Sequence, residues 1–141
     1  MAEEKKLVIF GDSIVKGVTY QDGRYRLCQA HNFDALAERG VDVQNYAKMG
    51  ACTDAGLAIA KRRLEVCEGA EILLCFGGND CDFDWQAVSD APEHAHFPNI
   101  QPEQFLENYR ALIAMAREKG KTVWLSSLVP LDSHRFLEHV S

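Results

Sequence analysis

Three short polar motifs in this chain carry residue types suited to acyl chemistry. The first is Gly11-Asp12-Ser13, which ends the apolar run Leu7-Val8-Ile9-Phe10. A glycine lets the backbone turn sharply, and the turn then presents a serine hydroxyl, as a serine nucleophile requires. Gly, Asp and Ser also form ordinary turns, so this motif alone fits a plain strand ending as well. The second motif runs from Asn45 to Ala51 and contains Gly50; the third is Gly77-Gly78-Asn79-Asp80. Attack of a serine on an ester carbonyl puts negative charge on the carbonyl oxygen. Each donor held around that oxygen is worth about 3 kcal/mol. The Ser13 backbone N–H, the Gly50 backbone N–H and the Asn79 side-chain amide supply three such donors. Glycine allows close backbone approach, and the Asn amide donates without charge.

The apolar pattern says what positions these motifs. Leu7–Phe10 reads as a buried strand, Val41, Val43 and Tyr46 as a second, Ile72–Phe76 as a third and Val123–Leu128 as a fourth, closed by Pro130. Between them, residues 24–39 read as a helix, with Leu27, Ala30, Phe33, Leu36 and Ala37 on one face and Gly40 as its stop. Residues 53–68 read as another, ended by Gly69. Residues 102–119 form the clearest, opened by Pro102 and ended by Gly120. A new helix begins near Ser133. Alternation of strand and helix predicts an α/β fold of three layers, α/β/α, around a flavodoxin-like parallel sheet in the order 2-1-3-4. In that order the first strand lies between the second and third, and Ser13 is flanked by Gly50 and Asn79 at one sheet edge, where open α/β sheets place ligands. Residues 80–101 lack periodicity. They fit either a functional lid or a surface excursion with a short helix near Trp85–Val88. Phe83 and Trp85 in this stretch fit an acyl pocket or simple packing.

Together these motifs resemble the SGNH hydrolases, also called the GDSL esterase/lipase family. Phe10-Gly11-Asp12-Ser13 matches the first block, Gly50 after Asn45 the second-block glycine, and Gly77-Gly78-Asn79-Asp80 the third block, G-x-N-D. The resemblance implies Ser13 as nucleophile and Gly50 and Asn79 completing an oxyanion hole. It also implies hydrolysis of an ester or thioester on a lipid, carbohydrate or small acyl substrate, with neither metal nor cofactor. Asp12 and Asp80 read as supports whose carboxylates hold the two turns.

The family's fourth block, D-x-x-H after a fifth strand, has no counterpart. Residues 1–141 therefore read as a single domain lacking its fifth strand and C-terminally incomplete, and as an enzyme impaired for want of its base. Five histidines remain. His31 falls in the first predicted helix, His94 and His96 in the long loop, His134 after the fourth strand with Asp132 nearby, and His139 in the terminal helix. His134 and His96 are the leading substitutes for the base. Without a fifth strand, Val123, Leu125 and Leu128 lie on an open edge, which predicts self-association there.

Two other readings use the same residues. A receiver-like signalling domain would use Asp12, Asp80 and a hydroxyl at Ser126 or Ser127. A ligand-binding module would keep the fold without the chemistry. Nucleotide-cofactor readings find neither G-x-G-x-x-G nor G-x-x-x-x-G-K-[ST]. The net charge of −6 disfavours nucleic acid and anionic membrane as partners. No apolar run has the length of a membrane span, and no secretory signal is visible. Five cysteines with no C-x-x-C pair read as free thiols, with no zinc-ligand spacing, in a cytoplasmic protein.

Overall fold

The computed structural model describes residues 5–28 and 33–140. Four strands pair in parallel: β1 (Lys5–Gly11), β4 (Val41–Asn45), β5 (Glu71–Cys75) and β6 (Thr122–Leu125), in the order β4-β1-β5-β6. This is the expected 2-1-3-4 arrangement of the four sheet strands. Its register aligns Val8 with Ile72 and Phe10 with Leu74, so apolar side chains stack in rows on one face. Helices α3 (Thr53–Arg63) and α5 (Pro102–Glu118) supply that face's partners. The buried positions of α3 are Thr53, Gly56 and Ala60, and those of α5 are Asn108, Leu112 and Ala116, each set recurring every three or four residues. Ala60, Leu112 and Ala116 form one core with Val8, Phe10, Ile72, Leu74 and Phe76. Each large side chain buried here contributes roughly 1.5–3 kcal/mol. Gly56 is required at this contact, since a Cβ there would stand 2.5 Å from the Phe76 ring. Helix α2 (Asp34–Ala37) packs on β4, and α1 (Ser13–Lys16) follows β1.

One expectation is corrected. Residues 24–39 are not a helix. Strands β2 (Val18–Gln21) and β3 (Arg24–Leu27) form an antiparallel hairpin, and only α2 in the later part of that stretch is helical. The turn is Asp22-Gly23, and both residues take positive φ, 51° and 73°. That geometry matches the twist of two paired strands, and Asp-Gly is among its preferred sequences. Tyr20 and Tyr25 sit opposite each other with ring centroids 5.2 Å apart. The apolar spacing that suggested a helix spans two elements, and residues 29–32, with His31, lie outside the described residues.

Other boundaries move little. α3 ends at Arg63, and β6 ends at Leu125, after which Ser126 keeps one more bond to the Leu74 carbonyl at 2.9 Å. The stretch 80–101 contains α4 (Trp85–Asp90) and closes at its base. The Asn99 N–H donates to Asp82 O at 2.8 Å and the Ile100 N–H to Asp80 O at 3.0 Å. Helix α6 (Ser133–Val140) reaches back, and its Phe136 ring packs edge-on to Trp85.

Candidate active site

Gly11 ends β1 where no side chain fits. A Cβ there would meet the Cys75 carbonyl oxygen at 2.7 Å and Val15 at 2.4 Å. The chain then turns into α1 with Asp12 as N-cap. Its Oδ1 accepts from the Ile14 N–H at 2.9 Å, satisfying one of the donors a helix start leaves open. Ser13 is the first residue of this short helix and is half-buried. The Asp12 N–H donates to Cys75 O at 3.2 Å, and the Lys48 N–H to Gly11 O at 3.0 Å. Both neighbouring strand ends are thus tied to the serine turn.

Asn45, at the end of β4, clamps the second turn. Its Nδ2 donates to Val15 O at 2.8 Å, and its Oδ1 accepts from the Ala47 N–H at 2.9 Å. The turn continues to Gly50, at φ 70°, a value that favours glycine. Across the β1 end, Asn79 donates through Nδ2 to Ala51 O at 3.1 Å. The expected trio of Ser13, Gly50 and Asn79 therefore lies on three adjacent turns at one sheet edge, with Asn79 bonded beside Gly50.

The two supporting carboxylates are buried. Asp80 Oδ1 accepts from the Thr53 N–H at 2.8 Å and from Thr53 Oγ1 at 2.6 Å, while its Oδ2 is enclosed without a hydrogen-bond partner among the described residues. Burial raises the Asp12 carboxyl above its ordinary value, and the negative charge of Asp80 adds to the effect. Cys52 feels the same field. Burial, then Asp80, Asp54, Asp12 and Asp82, push its thiol up to about 11, so it stays protonated at neutral pH. Tyr109 of α5 grips the base of the third turn, accepting from the Phe76 N–H at 3.1 Å and donating to Phe76 O at 3.2 Å.

A cavity of about 430 Å³ opens beside Asp12 and Ile14. Its other walls include Phe83 and Trp85 after the third turn, Leu128 and Val129 after β6, and Phe136 of α6. Among the described residues, no histidine lines it. His96 Nε2 is 2.8 Å from Ala91 O, and His134 is exposed on α6, 3.2 Å from Glu138. His94 is exposed next to Glu93. Among the described residues, no three His, Cys, Asp or Glu side chains are grouped to hold a metal ion.

Thr53 and Asn108 were not singled out from the sequence. Asn108 Nδ2 donates to Thr53 Oγ1 at 3.0 Å, and both residues are buried. The available signal was a polar residue on the apolar stripe of α5, four positions before Leu112 and eight before Ala116.

With this geometry in view, the chain's class follows: residues 9–138 match the model of the GDSL-like lipase/acylhydrolase family, and the chain belongs to that family. Solved structures share its fold. TesA is 21% identical, with a TM-score of 0.65, over 96% of this chain and 68% of its own. A lipase/acylhydrolase from Enterococcus faecalis is 26% identical, with a TM-score of 0.67, over 95% of this chain and 62% of its own. AlinE4, an SGNH-hydrolase family esterase, is 20% identical, with a TM-score of 0.66, over 95% of this chain and 64% of its own. The chain therefore spans roughly two thirds of the length of these structures. No curated protein matches it significantly by sequence. No helix among the described residues is long and apolar enough to cross a membrane.

Proposed function

We propose that this domain is a serine hydrolase acting on a carboxylic ester or thioester of a small-molecule, lipid or carbohydrate substrate. Ser13 Oγ attacks the acyl carbon, and the Ser13 N–H, the Gly50 N–H and Asn79 Nδ2 receive the developing oxyanion. The observation that carries this reading is the Asn79 amide. One of its two hydrogens is spent on Ala51 O beside Gly50, and the reading assigns the other to the oxyanion. Asp12 and Asp80 hold the two flanking turns through Ile14 and Thr53. The receiver-like alternative needs a reachable Asp80 carboxylate, and Asp80 is only 1% exposed.

The serine hydroxyl needs a base. Among the described residues His96 and His134 are engaged elsewhere, and neither faces the cavity beside Asp12. Ser13 in residues 1–141 therefore turns over slowly, and free imidazole in solution takes the missing part. The test is hydrolysis of p-nitrophenyl acetate with and without imidazole, each rate corrected for imidazole alone. Turnover rises with imidazole, vanishes in Ser13→Ala and falls about 100- to 1,000-fold in Asn79→Ala. Equal rates in the wild type and Ser13→Ala at every imidazole concentration would leave a ligand-binding module in its place.

A further inference from the structure

We infer that Thr53 and Asn108 are positioning residues that set the Asn79 amide relative to Gly50. This rests on the oxyanion role proposed for Asn79. The support is a closed ring of bonds between two turns. Ala51 O receives Asn79 Nδ2 at 3.1 Å on one side. Two residues on, Thr53 gives both its N–H, at 2.8 Å, and its hydroxyl, at 2.6 Å, to Oδ1 of Asp80, the residue next to Asn79. The Gly50 turn and the Asn79 turn are therefore joined by two struts rather than one, which fixes their mutual rotation as well as their distance.

The direction of each bond is set by chemistry. A carboxylate oxygen only accepts, so the Thr53 hydroxyl donates to Asp80 and accepts from Asn108 Nδ2 at 3.0 Å. The Asn108 amide is itself oriented by Gln104, whose Nε2 donates to Asn108 Oδ1 at 3.0 Å. The ring is thereby anchored to α5, the longest helix, and not to the loops alone. Thr53 is fully buried, and Asp80 Oδ2 has no partner among the described residues. Removing the hydroxyl therefore takes away one of the two bonds that hold the Asp80 carboxylate.

The experiment compares wild type, Thr53→Val, Thr53→Ser and Asn108→Ala by two readouts. One is the ¹⁵N–¹H signal pair of the Asn79 side-chain amide and its exchange with water. The other is the rate at which a fluorophosphonate modifies Ser13 in the presence of imidazole. Thr53→Val shifts the Asn79 signals, speeds their exchange and slows modification roughly 10- to 100-fold. Thr53→Ser, which keeps the hydroxyl, restores both. Asn108→Ala moves both the same way by less, and it decides the matter if Thr53→Val fails to fold. Unmoved Asn79 signals in a folded Thr53→Val, or in Asn108→Ala where Thr53→Val fails to fold, overturn the positioning role. A wild type whose Ser13 is never modified defeats the hydrolase reading instead, and the Asn79 signals still judge the ring.

Discussion

The turns after β1 and β5 border one cavity together with the flank formed by β6 and α6, and the turn after β4 is bonded to both of them; turns and flank are built in opposite ways. The turns are held by polar bonds that each have one geometry: Asp12 on Ile14, Asn45 on Val15 and Ala47, Asn79 on Ala51, Asp80 on Thr53. Of these groups Asp12, Asp80 and Thr53 are buried. The flank offers apolar side chains with much of their surface in solvent; Trp124, Leu125, Leu128, Val129 and Leu131 are each more than half exposed. Polar bonds specify position, whereas apolar contact is non-directional and tolerates shape change. The contrast teaches that this domain fixes the turns carrying the proposed reacting groups by directional bonds, while one cavity wall is made of exposed apolar side chains.

Breaking the contrast starts with stability. Ile72→Ala, in the core beneath the turns, costs about 2–5 kcal/mol, whereas Leu131→Ala on the flank changes stability by about 0.5 kcal/mol or less. Urea unfolding of both variants checks this, and equal losses would erase the distinction.

The electrostatic side of the contrast is smaller. Cys52 at the turns has its thiol pushed from 9.0 to about 11, so at pH 8 its thiolate is roughly 100-fold scarcer than for an ordinary thiol. Alkylation by iodoacetamide, followed by mass spectrometry, should lag at Cys52 by that order, and Asp54→Asn should quicken it. A Cys52 that reacts as fast as free cysteine would remove both the burial and the acidic field around it from the account.

The smallest effect concerns the open edge. β6 pairs only with β5 among the described residues, and unpaired apolar edges invite a second copy. Light scattering should show a mass that rises with concentration, and Leu125→Lys should return it to the monomer. A concentration-independent monomeric mass would show that the flank's exposure attracts nothing.

Much of this arrangement was legible before the fold. The continuous run Leu7–Phe10 and the run at Ile72–Phe76 signalled central strands, because a parallel sheet buries both faces. Pro102 and Gly120 bracketed α5. The strand order then brought Ser13, Gly50 and Asn79 to one edge. The hairpin was lost because Leu27, Phe33, Leu36 and Ala37 keep helical spacing across two different elements, although Asp22-Gly23 carried the turn signal. The pairing of Thr53 with Asn108 was out of reach for another reason: the bond joins residues 55 apart, on separate helices, and no local pattern encodes it. The histidine placements depended likewise on how the loop after Asp80 and the segment after β6 fold back.

The most direct measurement maps the adduct of a fluorophosphonate, whose phosphonyl oxygen imitates the oxyanion, on the wild-type chain supplied with imidazole. The account predicts a single modified residue, Ser13, with the rate lowered at least 100-fold in Asn79→Ala. An adduct elsewhere, or a Ser13 adduct forming equally fast in Asn79→Ala, would contradict it.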